Sequence, residues 1–183
     1  MIWKRASLSS SLDTPIFGDV LAALGRLSSW LPVVFPLHPR SRNRLAAHVV
    51  APNDRLRLVD PVGYVEFLAL EAAAAAVVTD SGGVQEETTF LRVPCFTLRE
   101  NTERPVTIEH GTNRLLGLRP EMIDRIPEFL RETSAPLDFP EGWDGAAASR
   151  VADVLCGALS STTSGMQAGE ISLLERHRVA ETR

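Results

Sequence analysis

Apolar residues recur along this chain in two distinct rhythms. Ile16, Val20, Leu21, Leu24 and Leu27 are spaced as one stripe of a helix, and Thr14-Pro15 supplies an N-cap with proline at the first helical position. Pro32-Val-Val-Phe-Pro-Leu37 is instead a short continuous run rich in branched and aromatic side chains, the pattern of a strand buried on both faces. The alternation then repeats. A polar helix is expected from Pro39 to His48, a strand at Leu56–Val59, a helix at Tyr64–Ala74 and a strand at Ala75–Thr79. After these come a helix at Val84–Leu91, strands at Pro94–Leu98 and Asn113–Gly117, and helices at Pro120–Arg131 and Asp144–Leu159. Short buried strands alternating with helices predict an α/β fold with a doubly wound, parallel, Rossmann-like sheet. Residues 1–159 are expected to form that domain. Ser160-Ser-Thr-Thr-Ser-Gly165 opens a tail over 160–183 that is flexible or marginally helical. In such a sheet ligands bind at the carboxyl ends of the strands, so the segments just after Leu37, Val59, Thr79, Leu98 and Leu116 are the places to look.

Composition narrows the picture. At 183 residues, 44% hydrophobic and 23% charged, the chain has room for one core and little more. The apolar stretch from Leu68 to Thr79 contains Glu71 and falls short of the ~20 residues a membrane span needs. The start, Met1-Ile-Trp-Lys-Arg, carries basic residues with no apolar segment behind them, so a cytoplasmic location is expected. Net charge is −4 and Lys4 is the sole lysine; only Arg40, Arg42 and Arg44 cluster, which does not make the continuous basic face of a nucleic-acid binder. Cys95 and Cys156 lack a Cys-x-x-Cys partner and read as buried free thiols.

The segment with most chemistry is Asp80-Ser81-Gly82-Gly83, between a strand and a helix. Two glycines permit positive φ and bring a ligand close to the backbone, while the following helix offers unpaired N–H groups and the positive end of its dipole. Together these suit a phosphate or diphosphate, with the Ser81 hydroxyl as a further donor. Neither a Gly-x-Gly-x-x-Gly fingerprint nor a Gly-Lys-Ser/Thr P-loop is present, and Thr79 stands where a nucleophile elbow needs glycine. Ser81 is therefore a ligand donor. Glu87, four residues past Gly83 and one turn deeper on the same face, suits sugar hydroxyls, whereas Glu86 complements the helix dipole. Arg99 and Arg104 stand either to neutralise an anion or to be absorbed by Glu100 and Glu103. Phe67 is either a cover for a planar base or core, and His38 falls at the same sheet edge.

These segments together resemble the non-hydrolysing UDP-N-acetylglucosamine 2-epimerases. The residues that carry the resemblance are Phe35-Pro-Leu-His38-Pro-Arg, Asp60-Pro-x-x-Tyr64-x-x-Phe67 and Thr79-Asp-Ser-Gly-Gly-Val-Gln-Glu-Glu87. Arg99-x-x-Thr102-Glu-Arg-Pro105, Gly111-Thr112 and Asp144-Gly145-x-Ala147 continue it. The resemblance runs from Leu12 to Leu159 and covers the C-terminal half of a glycosyltransferase-B-like fold. It implies a UDP-sugar site with Phe67 and the backbone around Val62 at the uracil, and with Ser81, Gly82 and Gly83 at the diphosphate. Glu87 would hold the ribose hydroxyls, Arg104 would lie beside the nucleotide, and His38 would face the cleft between two domains. The implied reaction interconverts UDP-GlcNAc and UDP-ManNAc by removing the C2 proton, eliminating UDP to a bound glycal, and adding UDP back. No metal or redox cofactor is implied. The carboxylates for the acid and base steps belong to the family's N-terminal domain. Its His-Arg motif would fall near Ser7 and Leu8, which do not match it. The resemblance thus implies either a truncated chain that retains the nucleotide-binding half or one of two separately encoded halves, with self-association as a further expectation. Other readings are a UDP-sugar-binding module or inactive remnant, and the nucleotide domain of a glycosyltransferase, against which the Thr102–Pro105 segment argues.

Overall fold

A computed structural model describes residues 16–37, 54–132 and 139–160, together with the backbone of 2–4. His38, the helix expected at 39–48, and Ser7 and Leu8 lie outside the described residues. Among the described residues, six strands form one sheet: β1 (Ile2–Lys4), β2 (Val33–Pro36), β3 (Leu56–Val59), β4 (Val77–Thr79), β5 (Cys95–Thr97) and β6 (Asn113–Leu115). Their order is β3-β2-β1-β4-β5-β6, and every pairing is parallel. Among the described residues up to 132 the helices are α1 (Ile16–Leu27), α2 (Tyr64–Ala72), α3 (Gly82–Leu91), α4 (Val106–Glu109) and α5 (Ile126–Glu132), the last entered from a 3₁₀ turn over Pro120–Arg125.

Both faces of the sheet are covered, as the continuous apolar strands require. On one face α1 sends down Phe17, Val20, Leu21, Leu24 and Leu27 to meet Phe35, Val78, Phe96, Leu98 and Leu116, and Ile123, Ile126 and Phe129 close the same core. Its fully buried leucines each contribute on the order of 1.5–3 kcal/mol. Arg26, in the last turn of α1, clamps this layer through a paired contact with Asp124, its Nε and Nη2 lying 3.0 and 2.8 Å from the carboxylate oxygens. On the other face α2 and α3 bury Phe67 and Val84 against Val77 and Val93. Adjacent residues of β4, Val77 and Val78, thus serve opposite layers, and β4 and β5 are buried at every position.

One strand was not foreseen. Ile2–Lys4 lies at the centre of the sheet, paired with β2 at Ile2↔Val34 and with β4 through Lys4↔Thr79. Three residues containing Trp3 and Lys4 carry no strand signal alone; ladders on both sides impose the conformation. This strand fixes the switch point, because the chain winds outward from β1 to β2 and β3, then returns to β4 on the other side of β1. The carboxyl end of β4 opens directly into α3, so the crevice of the switch point is where α3 begins.

The chain divides into two compact units, Met1–Pro140 and Glu141–Arg183. In the second, a helix over 147–160 starts where Asp144 Oδ1 accepts the Ala146 amide at 2.9 Å, and Arg150 Nη1 meets Asp144 Oδ2 at 2.8 Å. Cys156 on this helix is exposed, which corrects the expectation that both thiols are buried; Cys95 is buried in β5. No helix among the described residues is long and apolar enough to cross a membrane.

Candidate functional site

The turn after β4 is built by its own last residue. Thr79 Oγ1 accepts the Ser81 amide at 3.0 Å, which bends the chain and leaves Ser81 extended at φ −92°, ψ 126° as the N-cap of α3. The Ser81 side chain makes no capping bond, so its hydroxyl is not spent on the helix. Gly82 and Gly83 are the first two residues of α3, and neither has positive φ. Of the two roles expected for these glycines, positive φ is not used, because the backbone is ordinary helix; the other, a backbone left without a Cβ in the way, is what they supply. A methyl at Gly83 would meet only Ser81 Oγ at 4.0 Å, and one at Gly82 only Arg104 Cγ at 3.9 Å and Glu103 Oε2 at 4.0 Å. Among the described residues, nothing else lies within 4 Å of either position. The first helical bond runs from the Gln85 amide to the Ser81 carbonyl at 3.3 Å, and no acceptor among the described residues meets the amides of Gly82, Gly83 and Val84. Three N–H groups and the positive end of a helix dipole therefore face this opening, an arrangement that receives an anion.

Charges around it are largely matched within the protein. Arg104 passes its aliphatic stem over Gly82 and sets Nε 2.9 Å from Glu86 Oε1, so Glu86 serves an ion pair as well as the dipole. Arg99 is absorbed by Glu103, with Nη atoms 2.8 and 2.6 Å from its oxygens. Those bonds pull the Glu103 carboxyl from 4.5 to about 2 and raise the Arg99 guanidinium. Glu100 Oε1 instead accepts the Leu118 amide at 2.9 Å. With each arginine matched by a carboxylate, the main attraction for an anion comes from the amides, and Arg104 is the adjustable charge beside them.

Glu87 is half-buried one turn along α3, and its Oε2 is buried without a hydrogen-bond partner. Such an oxygen is costly to leave unpaired and suits a ligand hydroxyl. Tyr64, at the start of α2 and 62% exposed, lies beside it; the Glu87 charge holds the phenol above its ordinary pKa. Val62 is exposed just before α2. Phe67 is 3% exposed and packs with Val77, Val84 and Val93, so its side chain is a core residue and offers no face to a base. Three residues apart, Tyr64 and Phe67 share one side of α2; the packing of Val77, Val84 and Val93 on Phe67, one turn deeper, is what separates the buried ring from the exposed one. The structure thus groups Ser81, Gly82, Gly83, Glu87 and Arg104 around one opening, with Val62 and Tyr64 at the start of the neighbouring helix.

Sequence reasoning missed a polar cluster behind this opening. Gln85, Thr97 and Thr107 are fully buried and Asn113 nearly so, joined through Thr102 to the loop that carries Arg104. Gln85 and Thr102 stand inside motifs already singled out, yet only tertiary contacts show that they meet. Among the described residues there is no group of three side chains able to hold a metal.

Residues 10–156 match the family model of UDP-N-acetylglucosamine 2-epimerase. The chain belongs to this family. A UDP-N-acetylglucosamine 2-epimerase of Methanocaldococcus jannaschii is 40% identical over 127 residues, covering 67% of this chain and 34% of that protein. A UDP-2,3-diacetamido-2,3-dideoxy-D-glucuronate 2-epimerase of Pseudomonas aeruginosa is 37% identical over 152 residues, covering 80% and 42%. Among solved structures, the M. jannaschii epimerase in complex with UDP-GlcNAc and UDP superposes with a TM-score of 0.72 at 32% identity, over 85% of this chain and 44% of that one. The UDP-bound MnaA of S. aureus gives 0.74 at 26% identity, over 87% and 46%. The chain therefore spans a third to just under half of the length of these epimerases, and its fold is half of their glycosyltransferase-B-like architecture.

Proposed function

We propose that this chain supplies the UDP-binding half of an enzyme that inverts C2 of a UDP-N-acetyl sugar, UDP-GlcNAc being the substrate and UDP-ManNAc the product. The observation that carries this is the unobstructed start of α3, where the amides of Gly82, Gly83 and Val84 have no acceptor among the described residues and no Cβ stands before them. In elimination the C1–O bond breaks and negative charge grows on the departing diphosphate. Fixed amides and a helix dipole aimed at that charge stabilise it without reorganising. The Ser81 hydroxyl adds a donor, Arg104 lies beside the phosphates, and the unpaired Glu87 oxygen accepts from the ribose hydroxyls. The uracil rests near Val62 and Tyr64, on backbone and exposed side chains, with Phe67 supporting the helix from beneath. His38, two residues past β2 in the sequence, is kept as a candidate for the sugar side of the site on the family resemblance alone. The proton transfers at C2 are assigned to no residue described here; an N-terminal half, encoded separately or on the same chain, would bring their carboxylates.

Two relatives are named for different sugars on a shared UDP, which supports the nucleotide as the common part of the family's ligands. Calorimetry tests it. UDP and UDP-GlcNAc are expected to bind, and uridine to bind at least tenfold more weakly, because one charge-assisted hydrogen bond is worth about 1.5–3 kcal/mol. Equal binding of uridine and UDP, or no heat with either nucleotide, refutes the proposal. A complemented assay for UDP-ManNAc formation, with an epimerase N-terminal half added, then tests the reaction.

A further inference from the structure

We propose that Gln85, Thr102, Thr107 and Asn113 form a positioning ring whose task is to hold the backbone of Arg104 in register with the start of α3, a role that rests on the UDP reading above. The ring closes through matched donors and acceptors. The Arg104 amide donates to Thr102 Oγ1 at 3.0 Å, and that hydroxyl donates to Gln85 Oε1 at 2.5 Å. On the other side of the same residue, the Arg104 carbonyl accepts the Thr107 hydroxyl at 2.7 Å and the Thr107 amide at 3.0 Å. Asn113 joins the two arms, its Nδ2 donating to Thr107 Oγ1 and to Gln85 Oε1, both at 3.1 Å. Thr97, from the strand next to it, orients Asn113 by donating to Oδ1 at 2.6 Å. Both the N–H and the C=O of one exposed loop residue are thereby tied to a cluster with members on α3, β5 and β6.

Two features argue that the ring serves the position of Arg104 and is not there for stability alone. Gln85 is fully buried, yet its Nε2 has no acceptor, which costs more than an apolar side chain would in that place. Next, the tie runs to the backbone of the arginine and leaves the guanidinium outside, where it meets Glu86. A long exposed side chain loses freedom when it engages a ligand, and fixing its backbone beforehand lowers that cost. Gln85 directly follows Gly82, Gly83 and Val84, whose amides face the opening, on the same first turn of the helix, so ring and helix start form one rigid piece.

The test is calorimetry with UDP on four variants of the full chain, with melting temperatures as a check of folding. Thr102→Val keeps the shape and removes the hydroxyl; it is expected to weaken UDP binding about tenfold, the scale of one misplaced charged contact. Thr102→Ser, which restores the hydroxyl, is expected to bind within twofold of the wild type. Arg104→Ala should weaken binding by a similar factor, and Thr102→Val combined with Arg104→Ala should be no weaker than Arg104→Ala alone, since the ring acts through that side chain. Losses that multiply in the double variant, or a Thr102→Val protein that binds like the wild type, overturn the proposal and leave the UDP reading standing. A wild-type chain that gives no heat with UDP removes both. Amide exchange at Arg104 gives an independent reading in the unliganded protein: slow in the wild type and Thr102→Ser, fast in Thr102→Val, with equal rates in all three counting against the ring.

Discussion

Replacing Gly83 by alanine should push stability and binding in opposite directions. The backbone there is helical, with φ outside the positive range, and a new Cβ would find only Ser81 Oγ, 4.0 Å away. Alanine is therefore tolerated, and by restricting the unfolded chain it is worth about 0.4–1 kcal/mol of added stability. For a chain of this length that is a rise in Tm of up to about 4 °C. The same methyl, tilted toward the start of the helix, occupies the space in front of the Gly82 and Gly83 amides. Losing one charge-assisted contact to the diphosphate costs about 1.5–3 kcal/mol, so the Kd for UDP should rise about ten- to a hundredfold. Thermal melts and calorimetry on one preparation measure both quantities. A variant that melts higher and still binds UDP like the wild type shows that the diphosphate does not sit on these amides. A variant that loses stability and binding together shows that glycine is needed by the fold itself, and the separation of roles fails.

Other outcomes follow from the charges around the opening. Glu86→Gln releases the guanidinium of Arg104 from its 2.9 Å partner; UDP should bind up to about fivefold tighter, the scale of an exposed ion pair, and weaker binding would mean that Glu86 is needed to aim the arginine. Tyr64 is the sole tyrosine, so an ultraviolet titration reads it cleanly. Its pKa should lie above the ordinary range and fall toward it in Glu87→Gln; an unmoved titration would separate the two side chains. Glu103 is held down to about 2 by Arg99, so its carboxyl should stay ionised well below 4.5 in a ¹³C titration and return toward 4.5 in Arg99→Ala. Because the folded value is the depressed one, this pair's contribution is complete above pH 4.5 and fades as pH falls from there through about 2. A wild-type Glu103 titrating near 4.5 would contradict the observed pairing.

The layered architecture was legible because runs such as Val33–Phe35 and Val77–Thr79 are apolar, branched and short, which local pattern alone reports. Ile2–Lys4 was not, since its strand state comes from neighbours on both sides and not from its own three residues. Reading the glycine turn as suited to an anion rests partly on positive φ, which the structure does not use: these glycines stand inside the first helical turn, where absence of a side chain matters and positive φ does not. Phe67 shows the limit of assigning a side chain from a motif, because its spacing from Tyr64 fits either a base or the core, and burial decides for the core. The ring around Arg104 could not be read at all. Gln85, Thr102, Thr107 and Asn113 are ordinary polar residues in the sequence, and only the packing of α3, α4 and β6 brings their hydrogen-bonding groups together.

Titrating ¹⁵N-labelled protein with UDP and following individual amides decides whether the start of α3 holds the diphosphate. Gly82, Gly83 and Val84 should move together, saturably and further downfield than other amides, with the Arg104 side chain responding at the same concentrations. Shifts centred elsewhere on the sheet, or amides at α3 that stay still while UDP binds, would contradict the account.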